Sequence, residues 1–426
     1  MFFCLQIVLA FALLSVVSWA QFHPSEPAKY QRLPSLRDQA RILDEWKDER
    51  VARIPQLLER YGVDAWLMSQ REHAEDPIWW SIKNATDFAA HRRTVVLFLA
   101  NPLPQQTNPV VWVDNTGKVW GELLDILEAS DPQKIVLNVD HNIAFSGGLH
   151  VGEFEVLQAE LGSKWKERFV NQPMIGIEYV ATRVRSQLEY YRMLQETTWA
   201  MIAEAFSEAV IKPEITTTEN HPRVSVVTPE SFPGWQGTQD VIQEGDILHV
   251  DYGITAMGMN TDVQHMAYVL RAGETDAPQG LKDGIRKANR MQDIILSEMR
   301  AGRSGNAVLQ GSLAQMKVEG LEGQIYCHPI GDYGHAPGAV MGSPAGFTNL
   351  PVNVPVLGDL PLLPETYYSI ELYAYSFVPE RNETLRFRLE ENAYWVDEER
   401  GWEFVYGRQE MLHLVGKTPP SLLLQN

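Results

Sequence analysis

Two pairs of acidic residues in the C-terminal half of the chain are each predicted to face one another across a β-hairpin. Asp251 and Asp262 lie in the segment ILHVDYGITAMGMNTDVQHMAYVL, where residues typical of strands flank a turn that contains Gly258. A turn centred on Ala256 and Met257 would place the two aspartates directly opposite each other. Directly opposed residues in an antiparallel pair have Cβ atoms about 4.5–5.5 Å apart, so two carboxylates there repel each other unless a positive group compensates.

A second hairpin repeats this arrangement with glutamates. Glu371 in YYSIELYAYSFV and Glu390 in TLRFRLEENAYWV flank the turn sequence PERNE. A turn centred on Glu380 and Arg381 would put these two glutamates opposite each other. One such pair is equally compatible with a solvated hairpin whose acids face water, but two pairs together favour a site for cations.

Nitrogen ligands are available in the segment IYCHPIGDYGHAPG, where His328 and His335 lie seven residues apart among glycines. Carboxylates combined with imidazole suit Mn²⁺, Zn²⁺, Co²⁺ or Fe²⁺, and an oxygen-rich set of ligands favours Mn²⁺. Two divalent ions roughly 3.5–4 Å apart can together activate a water and polarise a carbonyl. The ligand types therefore predict two divalent metal ions, with Mn²⁺ as the first expectation.

The order of these residues resembles the ligand set of the pita-bread metallopeptidases, which include methionine aminopeptidase, aminopeptidase P and prolidase. The matching motifs are HVDYG, NTD, HPIG, SIELY and FRLEEN. The resemblance implies that the metal ligands are Asp251, Asp262, His328, Glu371 and Glu390. It also implies that Asp262 and Glu390 bridge the two ions. Glu371 would accept a proton from water, and His335 would stabilise the developing oxyanion.

The same resemblance implies an α+β fold with two domains. Residues 186–426 would form a pita-bread (creatinase/aminopeptidase) domain, and residues 21–185 a smaller mixed α/β domain of the creatinase type. The sequence pattern agrees, because amphipathic helices such as LKDGIRKANRMQDIILSEMRAG alternate with hairpin segments. In the first domain the pattern predicts one helix from Leu36 to Gly62. It also predicts a hairpin in PVVWVDNTGKVWG that turns near Asn115.

The N-terminus is predicted to be a secretory signal peptide. Residues 1–20, MFFCLQIVLAFALLSVVSWA, are apolar and end in small residues, so cleavage after Ala20 is expected. An uncleaved membrane anchor is the competing interpretation. Cleavage would leave Cys327 as the only cysteine, and sequons at Asn84 and Asn382 are compatible with glycosylation. The expectation is a secreted, extracellular protein with no membrane partner after cleavage.

Two departures from the family pattern keep other functions open. The family usually carries a further histidine upstream of the first aspartate, but that region reads SFPGWQG in this chain. A helix that the family places between the segments IKPEITTTEN and HPRVSVVTP is missing near residues 220–221. True divergence explains this gap as well as a mis-spliced or truncated gene model does.

The leading hypothesis is a secreted exopeptidase that hydrolyses short peptides at an Xaa-Pro bond. The alternatives are a non-peptidase enzyme on the same scaffold, such as a lyase or an amidinohydrolase, and a binding module without catalysis. The formal net charge of −19 argues against a nucleic acid partner. The expected partner is a short peptide substrate, and a homodimer is compatible with the resemblance.

Overall fold

The computed structural model describes residues 26–216, 224–228, 241–343 and 353–416. The predicted signal peptide, the SFPGWQG segment and the gap near residues 220–221 all lie outside these described residues. Within the described ranges, no helix is both long and apolar enough to cross a membrane.

The N-terminal part of the chain has helices on both faces of a mixed sheet. Its strands are β1 (Ala65–Arg71), β2 (Arg93–Leu99), β3 (Val110–Val113), β4 (Ile135–Val136) and β5 (Phe169–Val170), in the order β3-β2-β1-β4-β5. Its helices are α1 (Leu36–Val51), α2 (Ile54–Arg60), α3 (Trp79–Ile82), α4 (Lys118–Ser130), α5 (Val151–Lys166) and α6 (Pro173–Ala181). Alternate residues of β1 point to opposite faces. Trp66 therefore packs with residues of α2 and α6, whereas Leu67 packs with residues of α4 and α5.

Two expectations for this part were wrong. The predicted single helix is divided into α1 and α2, because Pro55 lacks an N–H and stands at the start of a new helix. The predicted hairpin near Asn115 does not form, since the segment after β3 begins α4. Val119, Trp120, Leu123 and Leu127 bury one face of that helix, and this helical spacing outweighs the turn residues.

The C-terminal part is built on a strongly paired sheet. Its strands are β6 (Val224–Val226), β7 (Ile247–Tyr252), β10 (Val263–Val269), β11 (Gly323–Ile330), β12 (Met341–Gly342), β13 (Tyr367–Val378), β14 (Glu383–Asp397), β15 (Gly401–Phe404) and β16 (His413–Val415). The main order is β12-β11-β13-β14-β10-β7-β6, with β15 beside β14 and β16 beside β10. A small ribbon of β8 (Thr255–Ala256) and β9 (Met259–Asn260) extends the hairpin of β7 and β10.

Helices cover this sheet and complete the predicted α+β fold, which is confirmed. The helices are α7 (Gln187–Ala205), α8 (Gln279–Glu298) and α9 (Gly305–Glu319). Residues of α8 and α9 pack with the buried side chains of β11, β13 and β14 in one hydrophobic core. Gly284 of α8 allows close approach to the sheet, because an added Cβ would lie 2.2 Å from the ring of Phe387.

Of the two predicted hairpin registers, one was confirmed and the other was wrong. Glu371 pairs directly with Glu390, as predicted, and the turn between β13 and β14 lies where expected. The prediction that Asp251 faces Asp262 was wrong, because Asp251 pairs with Gln264. The turn falls one residue later than predicted. Met257 and Gly258 both adopt positive φ, at 50° and 64°, as the central residues of a two-residue type I′ turn do.

Candidate metal centre

A row of polar side chains crosses the C-terminal sheet from strand to strand. Asp251 of β7 pairs with Gln264 of β10, and Gln264 pairs with Glu390 of β14. Glu390 pairs in turn with Glu371 of β13, which pairs with Tyr326 of β11. Paired residues in adjacent strands lie on the same face of a sheet. The register alone therefore brings three of the predicted acidic ligands into one line.

Asp262 enters the site from the segment immediately before β10, diagonal to Asp251. Its main chain is fixed by the side chain of Asn392, whose Nδ2 donates to the Asp262 carbonyl at 2.8 Å. The Asp262 N–H donates back to Asn392 Oδ1 at 3.0 Å, and the Tyr191 hydroxyl donates to the same oxygen at 2.8 Å. Although the predicted register was wrong, both aspartates lie on the same face of the sheet. The buried amide of Asn392 holds the main chain of Asp262.

The predicted ligands converge in space. Among the described residues, three overlapping groups place potential ligand atoms within 4.8 Å of one another. One group is His328, Glu371 and Glu390; another is Asp251, Asp262 and Glu390; the third is Asp262, His328 and His335. The structure thus brings all six predicted site residues together, and it leaves their individual roles as predictions.

His328 is oriented as a metal ligand would be. Its Nδ1 lies 3.0 Å from the Pro329 carbonyl, to which it donates. Its Nε2 is buried and has no hydrogen-bond partner within the described part of the chain. That nitrogen lies 3.7 Å from Glu390 Oε1 and 3.9 Å from Asp262 Oδ2. A lone pair facing two carboxylate oxygens is unfavourable unless a cation lies between them, so the donor set fits a divalent metal ion.

The electrostatics of the acids indicate the same need for positive charge. Burial raises the pKa of Glu390 to about 8, and the charge of Asp251 adds to this effect. Burial also raises the pKa of Glu371 well above its usual value, with further contributions from Glu390 and Asp262. Hydrogen bonds from Gln264 oppose both shifts. Like charges at this spacing disfavour the ionised forms, and a bound cation would reverse that preference.

The metal-free protein is therefore expected to lose stability, relative to a Glu390→Gln variant, as the pH rises from about 4.5 through about 8. The raised pKa means that the folded state binds the proton more tightly than the unfolded state, so this stabilisation is present at low pH and is lost as Glu390 ionises. The difference should reach on the order of a few kcal/mol. Urea unfolding in a chelator at pH 5, 6.5 and 8.5 measures it. If the difference in unfolding free energy between the two proteins stayed constant with pH, the pKa of Glu390 would not be raised in the folded state.

The loop between His328 and His335 is held by the N-terminal part of the chain. Asp332 Oδ2 accepts hydrogen bonds from Arg50 Nη1 and from Ser81 Oγ, both at 2.9 Å. Arg183 Nη1 donates to Oδ1 of the same carboxylate. Burial would raise the pKa of Asp332, but Arg183 and Arg50 outweigh it and hold the pKa at about 2. This ion-pair network fixes the loop after β11, here called the histidine loop, which joins the strand that carries His328 to His335.

His265 lies behind the acidic row rather than in it. Its Nε2 is 2.8 Å from Glu391 Oε1, and its Nδ1 is 3.0 Å from His413 Nε2. Trp199 Nε1 donates to the other oxygen of Glu391 at 3.0 Å. His265 therefore supports Glu391, which directly follows the predicted ligand Glu390 in β14.

A small pocket of about 20 Å³ opens beside the acidic row. Its wall includes Gln264, Gln324, Tyr326, Glu371, Tyr373 and Arg388. Sequence reasoning missed Gln264 and Arg388. Arg388 lies two residues before Glu390 in the same strand, so the period of two places both on one face and could have identified it. For Gln264, the available signal was a polar residue in a strand whose other positions are almost all apolar.

The chain resembles known proteins in its three-dimensional fold but not detectably in its sequence. No protein-family model matches the sequence, and no curated protein matches it. The X-Pro aminopeptidase of Thermotoga maritima MSB8 matches with a TM-score of 0.58 and 14% identity, over 84% of this chain and 99% of that chain. The Xaa-Pro dipeptidase of Bacillus anthracis matches with a TM-score of 0.54 and 15% identity, over 86% and 99%. The prolidase of Pyrococcus horikoshii OT3 gives 0.52 and 12%, over 85% and 99%. The chain therefore has the pita-bread fold of the Xaa-Pro aminopeptidases and prolidases, as its motifs predict.

Proposed function

We propose that the protein is a secreted, metal-dependent exopeptidase that hydrolyses short peptides at an Xaa-Pro bond. The observation that carries the proposal is the buried Nε2 of His328, which faces Glu390 and Asp262 and has no hydrogen-bond partner in the described ranges. Structural neighbours with the same fold are an X-Pro aminopeptidase, an Xaa-Pro dipeptidase and a prolidase. Their substrates support the choice of peptide bond.

Two divalent ions fit the ligand set. One would be held by Asp251, the other by His328 and Glu371, and both by Asp262 and Glu390 as bridging ligands. The predominance of carboxylate oxygens favours Mn²⁺ over Zn²⁺, Co²⁺ or Fe²⁺. When bound, such ions supply Lewis acidity, which polarises a peptide carbonyl and lowers the pKa of water.

The protein's own groups would position the substrate and move the protons. Glu371 lines the pocket, and a bound cation would keep its carboxylate ionised, so that it would be able to accept a proton from the attacking water. His335 lies at the exposed rim, with its ring centroid 4.4 Å from that of His328. Partial desolvation, with a smaller effect of His328, lowers the pKa of His335 to about 4. A neutral imidazole can donate its N–H to a developing oxyanion.

The position of the N-terminal part supports a preference for short peptides. Arg50 and Ser81 bind Asp332, and the Tyr333 hydroxyl donates to the Pro77 carbonyl at 2.7 Å. These contacts place a wall of α1 and α3 residues next to the histidine loop, which would exclude folded proteins. Secretion is supported by the apolar segment at residues 1–20. Absence of a cysteine pair after cleavage is compatible with a fold held by its core.

The test combines metal analysis with a substrate panel. Purified protein is expected to contain close to two transition-metal ions per chain. After loading with Mn²⁺, it should hydrolyse Xaa-Pro dipeptides and tripeptides and leave matched Xaa-Ala peptides largely intact. Chelation should abolish the activity, and Mn²⁺ should restore it.

The panel also separates the competing hypotheses. Metal-loaded protein that ignores every peptide but cleaves a non-peptide C–N or C–S bond would replace the exopeptidase with a lyase or an amidinohydrolase. Protein that binds no metal and turns over no substrate would overturn the proposal in favour of a binding module.

A further inference from the structure

Gln264 occupies an unusual place at the centre of the acidic row. It lies in β10 between Asp251 on one side and Glu390 on the other, and its side chain is 4% exposed. Both neighbours of Gln264 in the row are carboxylates, whereas Gln264 is a buried neutral amide. The hydrogen bonds of its side chain explain why an amide lies there.

The amide nitrogen of Gln264 serves two glutamates at once. Nε2 donates to Glu371 Oε1 at 2.8 Å and to Glu390 Oε2 at 2.7 Å. A primary amide has two N–H donors, so both bonds form together. Each glutamate thus has one oxygen engaged by the same rigid group. Oε1 of Glu390, which accepts from Ser369, is the oxygen that faces His328.

His249 determines which way this amide points. Its Nε2 lies 2.9 Å from Gln264 Oε1, and its ring is 1% exposed. A flipped amide would aim its carbonyl at two carboxylates and its N–H₂ group at the imidazole. An Nε2–H on His249 favours the observed orientation, because it supplies the donor that the amide carbonyl requires.

The geometry points to Gln264 as a positioning residue that holds Glu371 and Glu390 for metal, with His249 fixing the orientation of its amide. This inference rests on the proposed metal site. Hydrogen bonds to ligating carboxylates restrict their rotamers, and loss of such partners typically weakens metal affinity by about 10–100-fold. Glu390 belongs to the ligand group with Asp251 and Asp262 and, together with Glu371, to the group with His328. Loss of Gln264 should therefore weaken the binding of both ions.

The test measures metal binding without substrate. Mn²⁺ is titrated calorimetrically into metal-free protein, and Co²⁺ binding is followed by visible absorption, which reports ligand geometry. Gln264→Met keeps the side-chain length but removes both donors, so it is expected to weaken binding by about 10–100-fold and to alter the Co²⁺ spectrum. Gln195→Met is the matched control, because Gln195 is also buried, at 1% exposure, but belongs to α7. It should bind like the wild type.

Variants of His249 test the second half of the inference. His249→Leu should weaken binding, whereas His249→Gln should restore it, because a glutamine can donate to the Gln264 carbonyl. The double variant of Gln264→Met and His249→Leu should bind no more weakly than Gln264→Met alone, since the two residues act through one amide. If Gln264→Met fails to fold, comparison of His249→Leu with His249→Gln still tests the inference.

Three outcomes would overturn the inference. Gln264→Met could bind Mn²⁺ as tightly as the wild type with an unchanged Co²⁺ spectrum, or the two substitutions could weaken binding additively. His249→Gln could also bind as weakly as His249→Leu. Failure of the proposed metal site is distinguishable from all three, because wild-type protein would then bind no metal at all. A wild type that binds metal but cleaves no Xaa-Pro peptide would refute the proposed substrate and leave this inference intact.

Discussion

Replacing Glu390 with alanine is expected to remove nearly all metal from the protein and to reduce peptide hydrolysis to background. Glu390 belongs to two of the three groups of convergent ligands, one with His328 and Glu371 and one with Asp251 and Asp262. Loss of a ligand shared by two ions weakens both sites, whereas loss of a ligand to one ion would leave the other occupied. Metal analysis after dialysis against a weak chelator measures the effect directly.

Loss of metal in this variant should not reflect unfolding. Glu390 is 1% exposed, and burial raises its pKa to about 8, so near neutral pH the metal-free fold must bind a proton there or bury a charge, and it loses stability relative to the unfolded chain. Removing the charge relieves that penalty, and the cavity left by the side chain offsets part of the gain. Circular dichroism should therefore show a folded variant with a cooperative thermal transition.

The matched control lies in the same strand. Glu383→Ala removes a glutamate at the start of β14, where its partner is Arg381. That variant should keep the metal content and the activity of the wild type. Full metal occupancy in Glu390→Ala would contradict the bridging assignment, and half occupancy would assign Glu390 to one ion alone.

Local patterns predicted one half of the site well. The turn PERNE is short, and the residues around it are strongly typical of strands, so Glu371 and Glu390 could be placed opposite each other from sequence. The motif HPIG also identified His328, which the structure places in β11 beside Glu390 and Asp262. Both results depend on residues that are close together in the chain.

The other half depended on information that is not local. The turn at Met257 and Gly258 requires two residues with positive φ, and placing it one position too early moved the register of Asp251 by two residues. That error preserved the face, because side chains alternate with a period of two. Pairing of β10 with β14 joins distant segments, so the role of Gln264 between Asp251 and Glu390 could not be seen before the sheet was known.

The N-terminal part shows a second kind of limit. Turn residues in PVVWVDNTGKVWG favoured a hairpin, but the apolar spacing after Gly117 forms α4 against the sheet. Contacts between the two parts were likewise invisible in the sequence. Arg50, Arg183 and Asp332 are far apart along the chain, and only the folded structure joins them into the network that holds the histidine loop.

Replacing His335 with alanine is expected to lower kcat by about 10²–10³-fold while leaving metal content intact, as loss of one oxyanion donor typically does. His335 lies at the rim of the site, with its ring centroid 4.4 Å from that of His328 and 6.0 Å from that of Tyr326. The imidazole is neutral near pH 7, because partial desolvation lowers its pKa to about 4. In the proposed role it would therefore offer an N–H group rather than a positive charge.

Steady-state kinetics on an Xaa-Pro dipeptide, together with metal analysis of the same sample, distinguish this role from metal binding. His335→Asn retains a donor of similar reach and should recover part of the lost kcat, whereas His141→Ala, at an exposed position of the N-terminal part, should behave like the wild type.

His335 also belongs to the ligand group formed with Asp262 and His328. If His335→Ala lost metal in proportion to its activity, His335 would be a ligand, and the oxyanion would need another donor. If kcat fell with metal retained and KM nearly unchanged, the group would act mainly in the transition state, because a donor to the ground-state substrate would change KM as well.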